Sequence, residues 1–416
     1  MREFDIVVIG AGPAGLAAAS VAAESGSAVA LVDDTPWLGG QIWRGEHTRK
    51  SVPLARRWVE RFRQSGATLL DQASVVAAPG PGVLQAERPQ GTVAVRWKKL
   101  ILATGARELF LPFPGWTLPG VFGPGGLQAL VKNGWPIAEK RVVIAGSGPL
   151  LLAVADGLKK AGARIPIVAE QAPMSNVLGF ASELVKHPSK LLQGAGIRSR
   201  TIDVPYRFNT WVTKAEGTAA VESVTLTDGR RTWTEACDAL ACAFGLVPNL
   251  ELPVLVGCEL EGGFVRVNEF QQTSIPSIYC AGEITGIAGA DAALISGQIA
   301  GHAAAGRESQ AARLAREQPR WRAFQRALEK AFALRAEVTQ LAADDTLLCR
   351  CEDVAIGRAR QFKSWRDAKL QTRCGMGACQ GRICGTAAKY VLGWQADSVR
   401  PPVLPARVES LIENQI

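Results

Sequence analysis

Apolar residues form the same strand, turn and helix pattern twice along the chain. In the first copy, residues 4–10 (FDIVVIG) are continuously apolar, which is typical of a parallel strand buried on both faces. A glycine-rich turn (GAGPAG) then leads into a helical pattern at 14–25 and a second strand at 28–34. The same order begins again at 141–146 (RVVIAG). The repeat predicts an α/β fold with two Rossmann-like dinucleotide-binding domains.

Two other regions do not follow this pattern. Residues 111–128 (LPFPGWTLPGVFGPGGLQ) are so rich in Pro and Gly that we expect an irregular crossing between domains. Residues 301–343 are rich in Arg, Ala and Glu and carry apolar residues at helical spacing. This segment predicts one or two helices that lead to a small cysteine-rich end.

Length and composition narrow the class of protein. A chain of 416 residues is too long for one ordinary core, and 47% hydrophobic with 20% charged residues is typical of a soluble globular protein. From residue 307 onward, 19 Lys and Arg face 12 Asp and Glu, but no solid basic run or nucleic-acid-reading motif is present. We therefore expect no nucleic-acid partner.

The apolar stretch at 6–23 could be mistaken for a signal peptide or a membrane span. Its three glycines and one proline stand at the spacing of a strand, a tight turn and a helix instead. We expect a cytoplasmic protein without a transmembrane segment. In that reducing compartment, buried thiols and metal ligands are favoured over disulfides.

The first turn carries the G-x-G-x-x-G pattern at Gly10, Gly12 and Gly15. The first glycine permits the turn, the second lets the backbone approach a pyrophosphate, and the third lets helix and strand pack closely. The helix N-terminus favours the phosphates. Asp33, at the end of the second strand, is expected to accept hydrogen bonds from the adenosine ribose.

Three further motifs resemble those of the two-dinucleotide-domain flavoproteins, the class of thioredoxin and glutathione reductases. They are LILATGAR at 100–107, IYCAGEITG at 278–286 and GGQIWR at 39–44. The resemblance implies FAD, with Glu283 standing where the class usually has Asp. The implied FAD contacts, beyond the three glycines and Asp33, are Pro13, Ala14, Asp34, Gly40, Gln41, Ala103, Thr104, Gly105, Gly282 and Glu283. The alternative is a Rossmann scaffold whose site has decayed.

The second turn is a weaker nucleotide motif. Gly146 and Gly148 are present, but Leu151 stands where the third glycine belongs. Glu170 ends the next strand and suits an unphosphorylated ribose, so NAD is preferred over NADP if a nicotinamide nucleotide binds. We favour the other interpretation, in which the domain has lost the hydride donor and holds another adenine nucleotide. The candidate contacts are Gly146, Gly148, Pro149, Leu150 and Glu170.

Five of nine cysteines lie within 36 residues, in CRCEDV and TRCGMGACQGRICG. A C-x-C followed about 27 residues later by C-x4-C is a metal-ligand spacing, and the glycines let backbone N–H groups approach the sulfurs. Arg350, Arg373 and Arg382 flank the motif and should favour a reduced cluster. A [2Fe–2S] cluster is preferred beside an FAD domain, zinc held by four thiolates is the competitor, and disulfides come third.

The remaining cysteines and the histidines suggest no catalytic group. Cys237, Cys242, Cys258 and Cys280 are interpreted as buried free thiols. No redox-active C-x-x-C is present, and the three histidines are scattered. General acid–base chemistry on a substrate therefore has no visible agent in this chain.

Taken together, these motifs resemble the FAD-binding α (A) subunits of heteromeric amine-oxidising dehydrogenases, and they cover nearly the whole chain. That family includes opine (octopine and nopaline) oxidases, D-hydroxyproline dehydrogenase, hydrogen cyanide synthase and dye-linked proline dehydrogenases. The cysteine segment is similar to the bacterioferritin-associated ferredoxin fold. The resemblance selects as ligands Cys349, Cys351, Cys379 and Cys384, and it leaves Cys374 as a neighbour.

The resemblance also implies a domain arrangement. The expected domains are FAD-binding at 1–110 and 245–306, second nucleotide-binding at 111–244, a helical linker at 307–344, [2Fe–2S]-binding at 345–393, and a C-terminal tail at 394–416.

In the family, an amine is oxidised on a β subunit related to D-amino-acid oxidases, and a small ferredoxin-like γ subunit is often present. The α subunit relays electrons through FAD and the cluster to a respiratory quinone or other acceptor, which would place it at the inner membrane surface. ATP at the second nucleotide site and FMN at a subunit interface occur in relatives. Two alternatives remain: a stand-alone NADH-dependent reductase of a ferredoxin or quinone, and a non-catalytic zinc scaffold.

Overall fold

The structure is a computed structural model that describes residues 1–44, 52–395 and 399–412. The chain divides into two compact units. The first comprises Met1–Arg107, Val247–Gln325 and the described part of Ser398–Ile416, and the second comprises Glu108–Leu246 and Arg326–Asp397. The predicted tail lies partly outside the described residues, and the predicted domain boundaries stay predictions.

The described strands are β1 (Arg2–Ile9), β2 (Val29–Val32), β3 (Thr68–Leu70), β4 (Ser74–Gly80), β5 (Val83–Arg88), β6 (Gly91–Leu102), β7 (Ala106–Glu108), β8 (Val121–Phe122), β9 (Val142–Gly146), β10 (Val168–Glu170), β11 (Tyr206–Arg207), β12 (Trp211–Glu216), β13 (Ser223–Thr227), β14 (Thr232–Ala236), β15 (Ala239–Ala243), β16 (Leu246–Pro248), β17 (Leu260–Glu261), β18 (Phe264–Val265), β19 (Ile278–Cys280), β20 (Leu347–Cys349) and β21 (Val354–Ala355).

The described α-helices are α1 (Pro13–Glu24), α2 (Pro53–Gln64), α3 (Pro124–Lys132), α4 (Leu150–Lys160), α5 (Met174–Leu184), α6 (Pro188–Arg200), α7 (Glu251–Leu255), α8 (Ala290–Ala304), α9 (Glu308–Ala315), α10 (Gln318–Ala331), α11 (Ile356–Ala359), α12 (Trp365–Thr372), α13 (Cys384–Leu392) and α14 (Val408–Ile412). Short 3-10 helices lie at Gly282–Ile284 and Ala336–Thr339.

The first unit is built on a sheet in the order β3-β2-β1-β6-β5-β4, with β19 also paired to β6. Strands β1, β2, β3, β6 and β19 run parallel, whereas β4, β5 and β6 form an antiparallel meander. The inner strands are apolar on both faces because helices cover one face and the segments around α7 and β18 pack on the other. The two predicted strands at 4–10 and 28–34 are therefore present as β1 and β2.

Helices α1 and α8 approach each other so closely that side chains are excluded at their crossing. A Cβ on Gly297 would lie 2.1 Å from the carbonyl oxygen of Ala14, and one on Gly301 would lie 2.4 Å from that of Ala18. Glycine and alanine therefore allow this contact, as in other closely packed helix pairs. The contact brings the start of α1 and the turn before α8 together.

The second unit repeats the parallel arrangement with the strand order β11-β10-β9-β15-β8. Its core includes Ile144, Leu151, Val154 and Leu158, which are all fully buried between the sheet and α4. A separate antiparallel sheet contains β12, β13 and β14. The predicted second Rossmann-like unit is confirmed.

The Pro- and Gly-rich passage at 111–128 is more ordered than its composition indicated. It contains β8, and α3 begins inside it with Pro124 at the first helical position, where the missing N–H is not needed. The Glu108 carboxylate accepts hydrogen bonds from the N–H groups of Gly125 at 2.7 Å and Gly126 at 3.3 Å. The expectation of an element-free crossing is therefore wrong, because a carboxylate from outside the passage caps the helix.

The predicted helical segment at 301–343 contains the end of α8, then α9, α10 and the 3-10 turn Ala336–Thr339. The cysteine-rich end is a small fold of β20, β21, α11, α12 and α13 with its own apolar core. Among the residues that the structure describes, no helix has both the length and the apolar character to cross a bilayer.

The α1–α8 contact gives a direct stability prediction. Gly297→Ala should destabilise the first unit by about 1–3 kcal/mol, because the new methyl group has no room beside the Ala14 carbonyl. Gly194→Ala in α6 is the matched control, since no atom lies within 4 Å of the position that its methyl group would take. Calorimetry of both variants checks this, and equal unfolding temperatures would contradict the close packing of the two helices.

Candidate functional site

The N-terminus of α1 is the candidate position for a phosphate group. The helix begins at Pro13 after the N-cap Gly12, no side chain caps its first turn, and the first turn carries no acidic residue. A Cβ on Gly12 would meet no atom within 4 Å, whereas one on Gly15 would lie 1.7 Å from the Gly10 carbonyl oxygen. Free N–H groups beside open space suit a pyrophosphate, and Gly15 keeps the helix against the strand.

Asp33 is held at the end of β2 beside this turn. Its carboxylate accepts hydrogen bonds from the N–H of Ala11 at 2.5 Å and from the N–H and hydroxyl of Thr35 at 2.9 and 2.6 Å. It is half-buried, and the neighbouring Asp34 is exposed. This arrangement leaves Asp33 at the place where a Rossmann acid meets a ribose.

The loop after β2 comes directly against the glycine turn. A Cβ on Gly40 would lie 2.8 Å from the Gly12 Cα, so this loop and the turn form one surface. Gln41 is exposed and accepts a hydrogen bond from the Arg44 guanidinium at 2.8 Å. The structure thus brings the GGQIWR motif next to the first glycine motif.

The turn after β6, Ala103 to Gly105, is fixed by a residue that sequence reasoning missed. Asn249 donates its side-chain amide to the Thr104 carbonyl at 2.8 Å, accepts the Thr104 hydroxyl on its backbone carbonyl at 2.8 Å, and donates its backbone N–H to the Gly105 carbonyl. Arg107 donates to the Asn249 side chain at 2.7 Å. Asn249 lies 145 residues from Thr104 in sequence, so no local sequence pattern indicates this contact.

Gly282 and Glu283 lie beside the same turn and line a surface cleft. A Cβ on Gly282 would be 2.9 Å from the Ala14 side chain, which places the end of β19 next to α1. Burial raises the pKa of the Glu283 carboxyl. The opposite wall of the cleft is supplied by Gln318, Trp321 and Arg322 of α10, another contribution that the sequence did not indicate.

The first-unit residues therefore fit FAD. Three features lie at one place: the start of α1 without a side-chain cap, the Asp33 carboxylate, and glycine positions such as Gly40 and Gly282 that leave no room for a side chain. When bound, FAD supplies the exchange between a two-electron donor and one-electron carriers.

The second nucleotide motif has the fold but a different turn. The backbone of Pro149 is already helical, so the helical backbone starts three residues after the first glycine of the motif in both units. Leu151 points into the core, and the N–H that reaches the strand-end acid belongs to Gly148. The leucine in the third glycine position thus accompanies a turn in which the N–H of the second glycine reaches the strand-end acid, whereas in the first unit that N–H belongs to Ala11.

Glu170 is fully buried in this turn. Its carboxylate accepts hydrogen bonds from the N–H groups of Gly148 at 2.8 Å and Ala172 at 2.9 Å, and from the Tyr206 hydroxyl at 3.5 Å. Burial raises the pKa of Glu170 to about 7, against the lowering effect of these hydrogen bonds. Pro149 at the start of α4 is exposed.

A strap formed by residues 332–335 covers the same turn. The Ser147 hydroxyl donates to the Phe332 carbonyl at 3.1 Å, the Gln171 amide donates to the Ala333 carbonyl at 3.0 Å, and the Arg335 N–H donates to Gln171 at 3.1 Å. The Arg335 guanidinium also stacks 3.7 Å from the Trp211 ring centre. The strap is therefore hydrogen-bonded both to the turn after β9 and to the residue that follows β10.

The five clustered cysteines lie together in the C-terminal fold. The sulfur atoms of Cys349, Cys374 and Cys384 are buried and lie within 4.8 Å of one another. The Cys379 thiol hydrogen-bonds to those of Cys384 and Cys351, and Cys351 is exposed. All four predicted ligands are thus within one connected sulfur group, with Cys374 added to it.

Hydrogen bonds stabilise a thiolate in this group. The thiols of Cys374 and Cys384 and the N–H of Gly375, 3.5 Å from the sulfur, lower the pKa of Cys349 to about 2. Beside it, hydrogen bonding to Cys349 raises the pKa of Cys374 to about 12. Such a buried set of sulfurs with a backbone donor fits an iron–sulfur centre.

The three arginines that flank the cysteine motif have different surroundings, although all three were expected to favour a reduced cluster. Arg373 donates to Glu352 at 2.8 Å, so part of its charge is neutralised. Arg382 donates to the Cys379 carbonyl at 3.4 Å, and Arg350 is exposed. The other four cysteines, Cys237, Cys242, Cys258 and Cys280, are buried free thiols, as predicted.

Residues 4–309 match the family model described as pyridine nucleotide-disulphide oxidoreductase. The chain belongs to this family. It is an FAD-dependent oxidoreductase family, and the predicted fold class of two Rossmann-like domains with a helical cysteine-rich end is confirmed.

Relatives in the family confirm the resemblance seen in the motifs. The chain is 32% identical to the hydrogen cyanide synthase subunit HcnB of Pseudomonas protegens, covering 91% of this chain and 89% of the relative. It is 31% identical to the A subunit of opine oxidase from Agrobacterium tumefaciens, covering 98% and 91%. The fold is similar to L-proline dehydrogenase from P. horikoshii, with a TM-score of 0.73, 20% identity, and 98% and 79% of the two chains covered.

The buried Glu170 predicts a pH dependence of stability in this oxidoreductase. Its pKa is about 7 in the folded chain against an ordinary value of 4.5, so the folded state holds the proton over a range where the unfolded state has lost it. The stability contributed by this carboxyl should be fully present below pH 4.5 and should fall by up to about 3 kcal/mol as pH rises through 7.

Glu170→Gln should flatten this part of the stability profile, because the amide does not ionise. Thermal unfolding of the second unit between about pH 5 and 8 measures it. Asp345→Asn, which changes an exposed carboxylate of the same unit, is the control and should leave the slope unchanged. Parallel profiles for the native chain and Glu170→Gln would show that Glu170 does not hold its proton.

Proposed function

We propose that this chain is the FAD-binding α subunit of a heteromeric dehydrogenase or oxidase of amino acids or opines. It relays electrons from a catalytic β subunit through FAD and a [2Fe–2S] cluster to a respiratory acceptor. The observation that carries the proposal is the group of clustered cysteine sulfurs in the core of a small fold, within a chain of an FAD-dependent oxidoreductase family.

The sulfur contacts are compatible with two adjoining pairs of cluster ligands. Cys349 and Cys384 lie within 4.8 Å of each other, Cys351 hydrogen-bonds to Cys379, and Cys379 also hydrogen-bonds to Cys384. Two irons that each take two thiolates need this kind of pairing. A single zinc ion would instead take all four thiolates at one tetrahedral point, whereas the three sulfurs that lie within 4.8 Å of one another include neither Cys351 nor Cys379.

The FAD assignment rests on the turn at the start of α1. The free N–H groups there would hold the pyrophosphate, Asp33 would hold the adenosine ribose, and Gly282 with Glu283 would lie toward the ribityl chain. The remaining proposed FAD contacts are Gly10, Gly12, Pro13, Ala14, Gly15, Asp34, Gly40, Gln41, Ala103, Thr104 and Gly105.

The amine-oxidising site is assigned to a partner. Two relatives, from hydrogen cyanide synthase and from opine oxidase, are named as subunits, which favours a complex. This sequence contains no C-x-x-C to receive hydride equivalents from a flavin. The partners we propose are a D-amino-acid-oxidase-like β subunit, a small ferredoxin-like γ subunit, and a respiratory quinone at the inner membrane surface. ATP at the second site and FMN between subunits remain predictions of the resemblance.

The burial of Glu170 disfavours the stand-alone NADH reductase. An NADH ribose would need this carboxylate, which is fully buried and already accepts hydrogen bonds from the N–H groups of Gly148 and Ala172. Electrons should therefore enter from a second polypeptide and not from a nicotinamide nucleotide at this turn.

Purification of the native complex tests the proposal. The complex should contain FAD, iron and acid-labile sulfide, and its flavin absorption should fall when one of D-hydroxyproline, octopine, nopaline, proline or glycine is added without oxygen. NADH should leave the absorption unchanged. Rapid bleaching by NADH alone would favour the stand-alone reductase, and zinc without iron or sulfide would favour the scaffold.

A further inference from the structure

The fifth cysteine, Cys374, is not placed evenly among the proposed ligands. Its sulfur lies within 4.8 Å of those of Cys349 and Cys384, and its side chain is fully buried. Cys351 and Cys379, which hydrogen-bond to each other, are exposed and half-buried. One proposed ligand pair therefore has an additional thiol beside it, and the other pair does not.

The turn that carries Cys374 is fixed by its surroundings. Arg373 takes a left-handed backbone conformation with φ of 65°, and the Cys374 N–H donates to the Thr372 hydroxyl at 3.2 Å. The next N–H, of Gly375, points at the Cys349 sulfur. A Cβ on Gly375 would lie 2.6 Å from the Trp365 ring, so the turn packs directly on that ring.

This packing means that the Cys374 sulfur is held beside the Cys349 and Cys384 sulfurs without occupying a ligand position that the family resemblance requires. A thiol within reach of an iron can bind it if an existing ligand leaves. The required movement is small, since the three sulfurs already lie within 4.8 Å of one another.

We propose that Cys374 is a reserve ligand for the iron bound by Cys349 and Cys384. When either of those two side chains is removed, the Cys374 thiol gives its proton to solvent and its sulfur forms the new bond to iron. The lost Fe–S bond is replaced by one Fe–S bond, and no electron is transferred. This inference rests on the [2Fe–2S] cluster of the proposed function.

Alanine variants of the full chain in its native complex test the asymmetry, because alanine supplies no ligand atom of its own. Cys384→Ala and Cys349→Ala should each retain about two irons and two sulfides per FAD. Their reduced clusters should give altered electron paramagnetic resonance spectra, because the ligand geometry has changed. Cys351→Ala and Cys379→Ala are the matched controls and should lose the cluster.

Two further variants show whether Cys374 is the residue that retains the cluster when Cys384 is removed. Cys374→Ala alone should keep the native spectrum, whereas Cys384→Ala combined with Cys374→Ala should lose iron and sulfide. FAD content and far-ultraviolet circular dichroism report whether each variant has folded. If Cys384→Ala does not fold, the same comparison is made between Cys349→Ala and Cys349→Ala combined with Cys374→Ala.

The proposal is overturned if folded Cys384→Ala and Cys349→Ala lose the cluster as completely as the controls do. Loss of the cluster in Cys374→Ala alone would also overturn it, because Cys374 would then be an ordinary ligand. Iron and sulfide missing from the native complex would instead contradict the proposed function, so the two failures are distinguishable.

Discussion

The close contact between α1 and α8 is the constraint on which the first unit depends. In the proposed flavin site, segments nearly 270 residues apart in sequence have to meet, because one would supply the phosphate-binding turn and the other would supply Gly282 and Glu283. Gly297 and Gly301 allow the helices to approach until a side chain no longer fits between them. The small residues along α1 are thus needed for the geometry of the site as well as for a helix.

The same strand and helix arrangement has different surroundings in the second unit. Its strand-end acid is fully buried, and residues 332–335 make four hydrogen bonds to Ser147 and Gln171 beside the turn. Burial of a carboxylate without a counter-charge raises its pKa, which makes Glu170 a local cost to stability at neutral pH. The segment that leads to the cysteines is thus hydrogen-bonded to this strand and helix unit.

Whether a structural feature could be predicted from the sequence depended on how far apart in sequence its residues lie. The glycine turns, β1, β2 and the Rossmann repeat follow from spacings of a few residues, so they were predictable. Asn249, which fixes the turn at Thr104, and Glu108, which caps α3, act across longer distances that no periodicity encodes. The C-x-C and C-x4-C spacing indicated a metal site, but spacing does not show which sulfurs lie close together in the fold. The position of the Cys374 sulfur beside those of Cys349 and Cys384 was therefore not predictable from the sequence.

In the proposed function, this chain carries electrons between a partner's substrate and a respiratory acceptor. The most direct measurement compares the native complex with its Cys379→Ala counterpart during anaerobic mixing with the amine substrate and a quinone analogue. We predict that the flavin is still reduced by the substrate in the variant, while transfer to the quinone analogue is lost. Transfer at the native rate in a variant shown to lack the cluster would contradict the relay.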